Sequence, residues 1–168
     1  KYFNKALFLN PGYSEAHYNL GIIFSKLDDF KSAAQSYKKA LFLQPNYPEA
    51  YNGLAIIISQ QGKTDEAINL LNEAISLKPN YSEAYYNMGI MFKKKNKLNE
   101  ALTSYQKALN FNPDYVECLY NIAIIFQEQG RLLEAIDYYD KAILKRPNYH
   151  QALAQKLYQK AQICDWRT

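Results

Sequence analysis

Five of the chain's six prolines stand 34 residues apart, at Pro11, Pro45, Pro79, Pro113 and Pro147. Around them the sequence reads "NPGY", "QPNY", "KPNY", "NPDY" and "RPNY". A fixed period of this size excludes most folds. It requires a stack of like units, each too small to bury its own apolar faces and each completed by its neighbours. With the unit counted from the residue after the tyrosine, proline is position 32. Four full units result, at 14–47, 48–81, 82–115 and 116–149. Residues 1–13 read as the second half of a preceding unit. Residues 150–168 read as the front of a later unit.

Each unit divides into two helical halves. In the first, apolar or small residues recur at positions 4, 7, 8 and 11, the spacing of one helix face. Position 8 is Gly21, Ala55, Gly89 and Ala123, and position 11 is Phe24, Ile58, Phe92 and Phe126. In the second half, position 20 is always alanine (Ala33, Ala67, Ala101, Ala135), as is position 27 (Ala40, Ala74, Ala108, Ala142). Position 24 is Tyr37, Leu71, Tyr105 and Tyr139. Small residues let two helices approach closely, and large ones fill the space beside them. Stretches such as "QQGKT" and "EQGRL" separate the halves. Proline ends the second helix. Glu15, Glu49, Glu83 and Glu117, at position 2, fall in the first turn of a helix, where its dipole favours an anion.

These recurring positions resemble the tetratricopeptide repeat family, over nearly the whole chain. The resemblance implies an all-α fold, a right-handed superhelical solenoid of antiparallel helix pairs, with the first helices lining a concave groove. The leading segment, Lys1–Asn10, would cover the apolar side of the first full repeat. Family geometry places positions 2, 5, 6, 9, 12 and 13 on the concave surface. Position 5 is Tyr18, Asn52, Tyr86 and Tyr120; position 6 is Asn19, Gly53, Asn87 and Asn121; position 9 is Ile22, Ile56, Ile90 and Ile124. A carboxamide both donates and accepts hydrogen bonds, so an asparagine in successive repeats could grip a peptide backbone. The tyrosine and isoleucine rows would add apolar contact. The other reading of the asparagines is structural, as bonds within or between helices. Gly53 breaks the row, and Asn52 lies about 100° round the helix from it.

The remaining features narrow the function further. A net charge of +4 is weak grounds for nucleic acid as a partner. No run of 18 apolar residues is present to span a membrane, and the start lacks a signal-peptide layout. Cys118 and Cys164 form neither a disulfide framework nor a metal spacing, which fits a reducing, cytoplasmic or nucleocytoplasmic setting. His17 and His150 sit in no ligand-spaced motif, and neither a phosphate loop nor a nucleophile motif occurs. No cofactor, metal or catalytic residue is expected. The expected partner is a protein or peptide, with self-association through exposed array ends as a further mode. The basic stretch Lys93–Lys97 reads as a solvated helix end. The tyrosines at position 34 (Tyr13, Tyr47, Tyr81, Tyr115, Tyr149) read as packing between repeats, and Cys118 as a packed core residue.

The tail departs from the pattern. Lys156 and Leu157 take positions 7 and 8, and a leucine there would block the usual partner helix. Cys164-Asp165-Trp166 follow at positions 15 to 17. A repeat array closing on this tripeptide is similar to the O-linked N-acetylglucosamine transferase family and its SPINDLY-like relatives. That resemblance implies a glycosyltransferase region after Thr168, with Asn19, Asn87 and Asn121 contacting the protein substrate. The position-6 residues Gly53 and Gln155 depart from the pattern. The alternative is a free-standing scaffold or adaptor, in assembly or secretion, with no enzyme attached.

Overall fold

Nine helices follow one another in the computed structural model, which describes residues 12–163. They are α1 (Ser14–Lys26), α2 (Phe30–Leu43), α3 (Pro48–Gln60), α4 (Thr64–Leu77), α5 (Ser82–Lys94), α6 (Leu98–Phe111), α7 (Val116–Glu128), α8 (Leu132–Lys145) and α9 (His150–Gln162). The half-helix expected over Lys1–Asn10 and the Cys164-Asp165-Trp166 tail lie outside the described residues.

Both connections in each repeat have a local chemical cause. Between first and second helices, position 15 takes a positive φ in all four repeats: Asp28 (56°), Gly62 (81°), Asn96 (56°) and Gly130 (73°). Glycine, asparagine and aspartate are the residues that tolerate this region. The reversal closes the first helix: the next residue's N–H reaches back to the carbonyl at position 11, as in Lys97 N to Phe92 O and Arg131 N to Phe126 O, both at 2.9 Å. Between repeats, the residue before each proline is extended, at φ near −138° for Gln44, Lys78, Asn112 and Arg146. The proline ring disfavours helix at the residue preceding it. The second helix therefore stops at position 30.

The helix pairs pack around their small residues. Position 3 (Ala16, Ala50, Ala84, Cys118, Ala152) is completely buried, as are the alanines at positions 20 and 27. Cys118 is thus a core residue, and burial pushes its thiol up to about 12. Position 8 meets position 24 across each pair. A Cβ on Gly21 would come within 2.6 Å of the Tyr37 ring, and one on Gly89 within 2.5 Å of the Tyr105 ring. Repeat 2 solves the same space with Ala55 and Leu71. Repeat 4 keeps Ala123 beside Tyr139, whose hydroxyl is drawn to Gln127.

An aromatic bridge then joins each pair to its successor. Tyr86 lies 5.8 Å from Tyr105 and 4.8 Å from Tyr115, ring centre to ring centre. Tyr18 (to Tyr37 and Tyr47) and Tyr120 (to Tyr139 and Tyr149) repeat the arrangement. Because position 34 is also the residue that starts the next first helix, the triad ties one repeat to the next. Repeat 2, with Asn52 and Leu71, replaces ring contact by a bond from Asn52 to the Tyr81 hydroxyl at 3.4 Å.

The outcome is the expected all-α, right-handed superhelical solenoid of antiparallel helix pairs. The last helix, α9, packs on α8. Leu157 is 55% exposed, so the face where other first helices meet a partner is open in the described residues.

The Gly89–Tyr105 fit yields a test. Gly89→Ala is expected to destabilise the array by about 1–3 kcal/mol through overpacking. Adding Tyr105→Leu, which copies the Ala55–Leu71 pair, is expected to recover most of that loss in urea unfolding.

Candidate functional site

Side chains of successive first helices meet in two rows. In the first, position 5 of one repeat meets position 6 of the next: Asn87 Nδ2 donates to Asn52 Oδ1 at 2.8 Å, and Asn121 Nδ2 to the Tyr86 hydroxyl at 3.3 Å. In the second, position 12 meets position 13 of the next repeat: Lys94 Nζ donates to Ser59 Oγ at 2.7 Å, and Lys93 pairs with Glu128 at 3.1 Å.

The first row fixes what the asparagines can do. Asn52 and Asn87 are each only 9% exposed and bonded to one another. They form part of the contact between α3 and α5, which is the structural reading of that pair. Asn52 joins the row despite its rotation from position 6. Its amide also donates to Tyr81. Asn121 stands half-buried, with one amide bond to Tyr86 and another to the Glu117 carbonyl at 2.9 Å. Asn19 is half-buried in α1. The gap at Gly53 has a cause. A Cβ there would lie 2.7 Å from Cζ of Tyr37, so the ring of repeat 1 occupies the space an asparagine would need.

Tyr18, Tyr86 and Tyr120 keep part of their surface while their rings belong to the bridges described above. Ile22, Ile56, Ile90 and Ile124 are all half-buried, a broken apolar stripe along the same face. The stretch Lys93–Lys97 is more engaged than a solvated helix end. Lys93 and Lys94 reach the neighbouring first helices, Lys95 pairs with Asp65, and Lys97 lies 3.8 Å from Glu100.

Within this face lies a cavity of about 330 Å³, lined by Ile90, Lys93, Lys94, Tyr105 and Asn121. Tyr105 is fully buried, and its hydroxyl has no hydrogen-bond partner. Burial, its first cause, raises its pKa, with smaller contributions from Tyr86, Cys118 and Glu128. The group is therefore a neutral O–H at any physiological pH. Its counterpart Tyr139 donates to Gln127 Oε1 at 2.8 Å. Gln127 is position 12 of its repeat, and the residue at that position beside Tyr105 is Lys93. An ammonium has no acceptor to offer. A substitution of one residue type thus leaves one buried donor unmatched. The clue was present in the sequence, but only the fold shows that positions 12 and 24 meet. A larger cavity, about 410 Å³, lies between α4, α5 and α6, lined by Ile75, Tyr85, Met88, Phe92, Thr103 and Lys107 among others.

Among the described residues, no three His, Cys, Asp or Glu side chains are placed to hold a metal ion. No described helix is long and apolar enough to cross a membrane.

Family models described as tetratricopeptide repeat match residues 14–47, 116–149 and 36–69, and one described as TPR repeat matches 57–95 and 89–130. No curated protein matches in sequence. Among solved structures, the chain is similar to MamA, with 26% identity and a TM-score of 0.76 over 89% of this chain and 87% of that one. It is similar to pilF of Pseudomonas aeruginosa, with 23% identity and a TM-score of 0.86 over 97% of this chain and 74% of that one. It is also similar to YrrB, described as a TPR protein with an unusual peptide-binding site. There identity is 20% and the TM-score 0.74, over 99% of this chain and 86% of that one. At these identities the likeness to pilF and YrrB is one of fold.

Three stability measurements separate the polar groups of these repeats. Asn87→Ala strands the buried Asn52 carbonyl oxygen and is expected to cost about 1–3 kcal/mol in chemical denaturation. Tyr139→Phe loses its bond to Gln127 and is expected to cost about 1 kcal/mol. Tyr105→Phe, which loses no bond, is expected to leave stability unchanged or raise it.

Proposed function

The chain belongs to the tetratricopeptide repeat family across residues 14–149, and on that premise we propose that it binds an extended peptide or protein segment in its concave groove. The observation that carries this reading is the open cavity of about 330 Å³ between successive first helices, lined by Ile90, Lys93, Lys94, Tyr105 and Asn121. The isoleucines Ile22, Ile56, Ile90 and Ile124 supply apolar contact on either side. The bonded rows hold the first helices in place before any ligand arrives, so little ordering falls to the protein and most to the peptide. In this reading Tyr18, Tyr86 and Tyr120 contribute the exposed part of their rings. Asn19 and Asn121 offer polar contacts, and the Asn52–Asn87 pair acts chiefly by holding the wall.

A finer reading rests on the sequence. Cys164-Asp165-Trp166 is similar to the exit from the repeat region in O-linked N-acetylglucosamine transferases. Under that reading the array presents acceptor proteins to a glycosyltransferase region that follows Thr168. The other reading, a scaffold without an attached enzyme, uses the same groove.

Both levels have direct tests. Ile56→Glu and Ile124→Glu are expected to weaken capture of unstructured peptides from a display library by tenfold or more, with circular dichroism unchanged. Phe42→Glu, on an exposed residue of a second helix, is expected to leave capture intact. If Phe42→Glu alone abolished it, the ligand would lie on the convex side. For the finer reading, the parent reading frame is expected to continue beyond Thr168 into a two-lobed α/β glycosyltransferase. A stop codon soon after would leave the scaffold.

A further inference from the structure

The cavity of about 410 Å³ between α4, α5 and α6 has a cause in one residue. Position 23, on the second helix, is Leu70 in repeat 2 and Tyr138 in repeat 4, both packed against the core. In repeat 3 it is Ser104. Its short side chain lines the cavity and donates back to the Glu100 carbonyl at 2.8 Å. A cleft of about 370 Å³ persists in the next repeat, but Tyr138 is the one α8 residue that lines it, and the space lies against α6.

The neighbours of position 23 show which side chain fits. Leu70 shares its repeat with Ile58 at position 11 and Glu73 at position 26. Tyr138 shares its repeat with Phe126 and Lys141 at those positions. Its ring lies 5.4 Å from that of Phe126, and Lys141 Nζ stands 4.4 Å from the ring centre. Repeat 3 has Phe92 and Lys107 there, both lining the cavity, with a serine in place of the ring. Repeat 1 carries the same set, Phe24, Lys39 and Ser36, but the unit before it lies outside the described residues. Charge points the same way. Lys141 is held by Asp137 at 2.6 Å, whereas Lys107 has no ion pair among the described residues and rests 5.6 Å over Tyr85.

We propose that this cavity receives one aromatic side chain of a partner protein. The ring takes the place that Tyr138 holds in repeat 4. It lies against Phe92 and Met88 and turns its negative face to the Lys107 ammonium. The exposed carboxamides of Asn72 and Asn99, which line the same cavity, serve the backbone that carries the ring. An aliphatic side chain would cover the apolar floor but forgo the cation. A cationic one would face Lys107, and an anionic one would leave Met88 and Phe92 uncovered. None of the lining residues stands at position 5, 6 or 9, so the site is separate from the groove contacts proposed above.

Two methionines make the site readable. Met88 lines the cavity, while Met91 is buried elsewhere in the core. The whole chain, labelled with carbon-13 at its methionine methyls, is titrated with acetylated and amidated Gly-Gly-X-Gly-Gly peptides, X being Tyr, Phe, Leu or Ala. The Met88 signal is expected to move saturably with Tyr and Phe, about tenfold more tightly than with Leu or Ala, while Met91 stays in place. Lys107→Gln is expected to weaken the Tyr peptide by about two- to fivefold, the size of an exposed cation–π contact. Ser104→Tyr fills the cavity from within, as repeat 4 does, and is expected to abolish the shift with circular dichroism unchanged. Ser104→Leu, the repeat 2 residue, carries the same test should the tyrosine form not fold. Ile56→Glu, in the groove, is expected to leave the shift intact. No movement of Met88, a Leu peptide bound as tightly as Tyr, or binding that survives the Ser104 substitutions would overturn the site. Loss of the shift in Ile56→Glu would put the peptides in the groove and overturn it as well.

Discussion

Everything in this array depends on how closely two helices of one repeat can approach. The limit is set where position 8 of the first helix meets position 24 of the second. At Gly21 and Gly89 the tyrosine ring lies against the helix where a methyl group would collide. That seating brings Tyr37 and Tyr105 within reach of Tyr18 and Tyr86, and through them of Tyr47 and Tyr115. A contact inside one repeat thereby sets the position of the residue that opens the next. Nine of the chain's sixteen tyrosines belong to this relay. Repeat 2, which lacks two of its rings, makes the same connection through a carboxamide and a hydroxyl.

The polar rows on the concave face follow from that spacing. Once the first helices are set side by side, positions 5 and 12 of one repeat stand opposite positions 6 and 13 of the next. Whatever residues occur there must satisfy one another. Most do, as in Asn52 with Asn87 and Ser59 with Lys94. These pairs are held away from full solvent, where breaking one partner costs more than the bond itself contributes. The ion pairs at repeat ends, such as Lys78–Glu49 and Arg146–Glu117, are more exposed and contribute little. Among the described residues two buried polar groups go unmatched, Gln159 Nε2 in α9 and the hydroxyl of Tyr105. Its neighbour at position 12 is a lysine where the fourth repeat has a glutamine, and the mismatch falls in the groove. A periodic protein can carry function as a local breach of its own repeat, because each unit's stability depends mainly on its neighbours.

Much of this was legible in the sequence, and the limits are instructive. The alanines at positions 20 and 27 and the prolines at position 32 announced their roles, since burial and φ restriction act on one residue at a time. The turn between the halves was readable at "QQGKT" and "EQGRL"; that Asp28 and Asn96 take the same positive φ as Gly62 and Gly130 appeared only in the structure. The glycine at position 53 was visible as a gap in the asparagine row. Its cause, the ring of Tyr37, lies 16 residues earlier and in another repeat. The lysine stretch at 93–97 read as a solvated end because its partners, Ser59, Asp65 and Glu128, are about one repeat away.

By itself the sequence determined the unit, its length, its two helices, their ends and their buried faces. These follow from periodicity and from the backbone chemistry of proline, glycine and the short polar residues, which operate over a few bonds. The tertiary structure decided which polar groups face each other across repeats, and hence which are spent on stacking. Those pairings on the first-helix rows join residues 35 positions apart. A hydrogen bond there exists only when two helices come within about 3 Å of the right atoms, and that distance is set by packing.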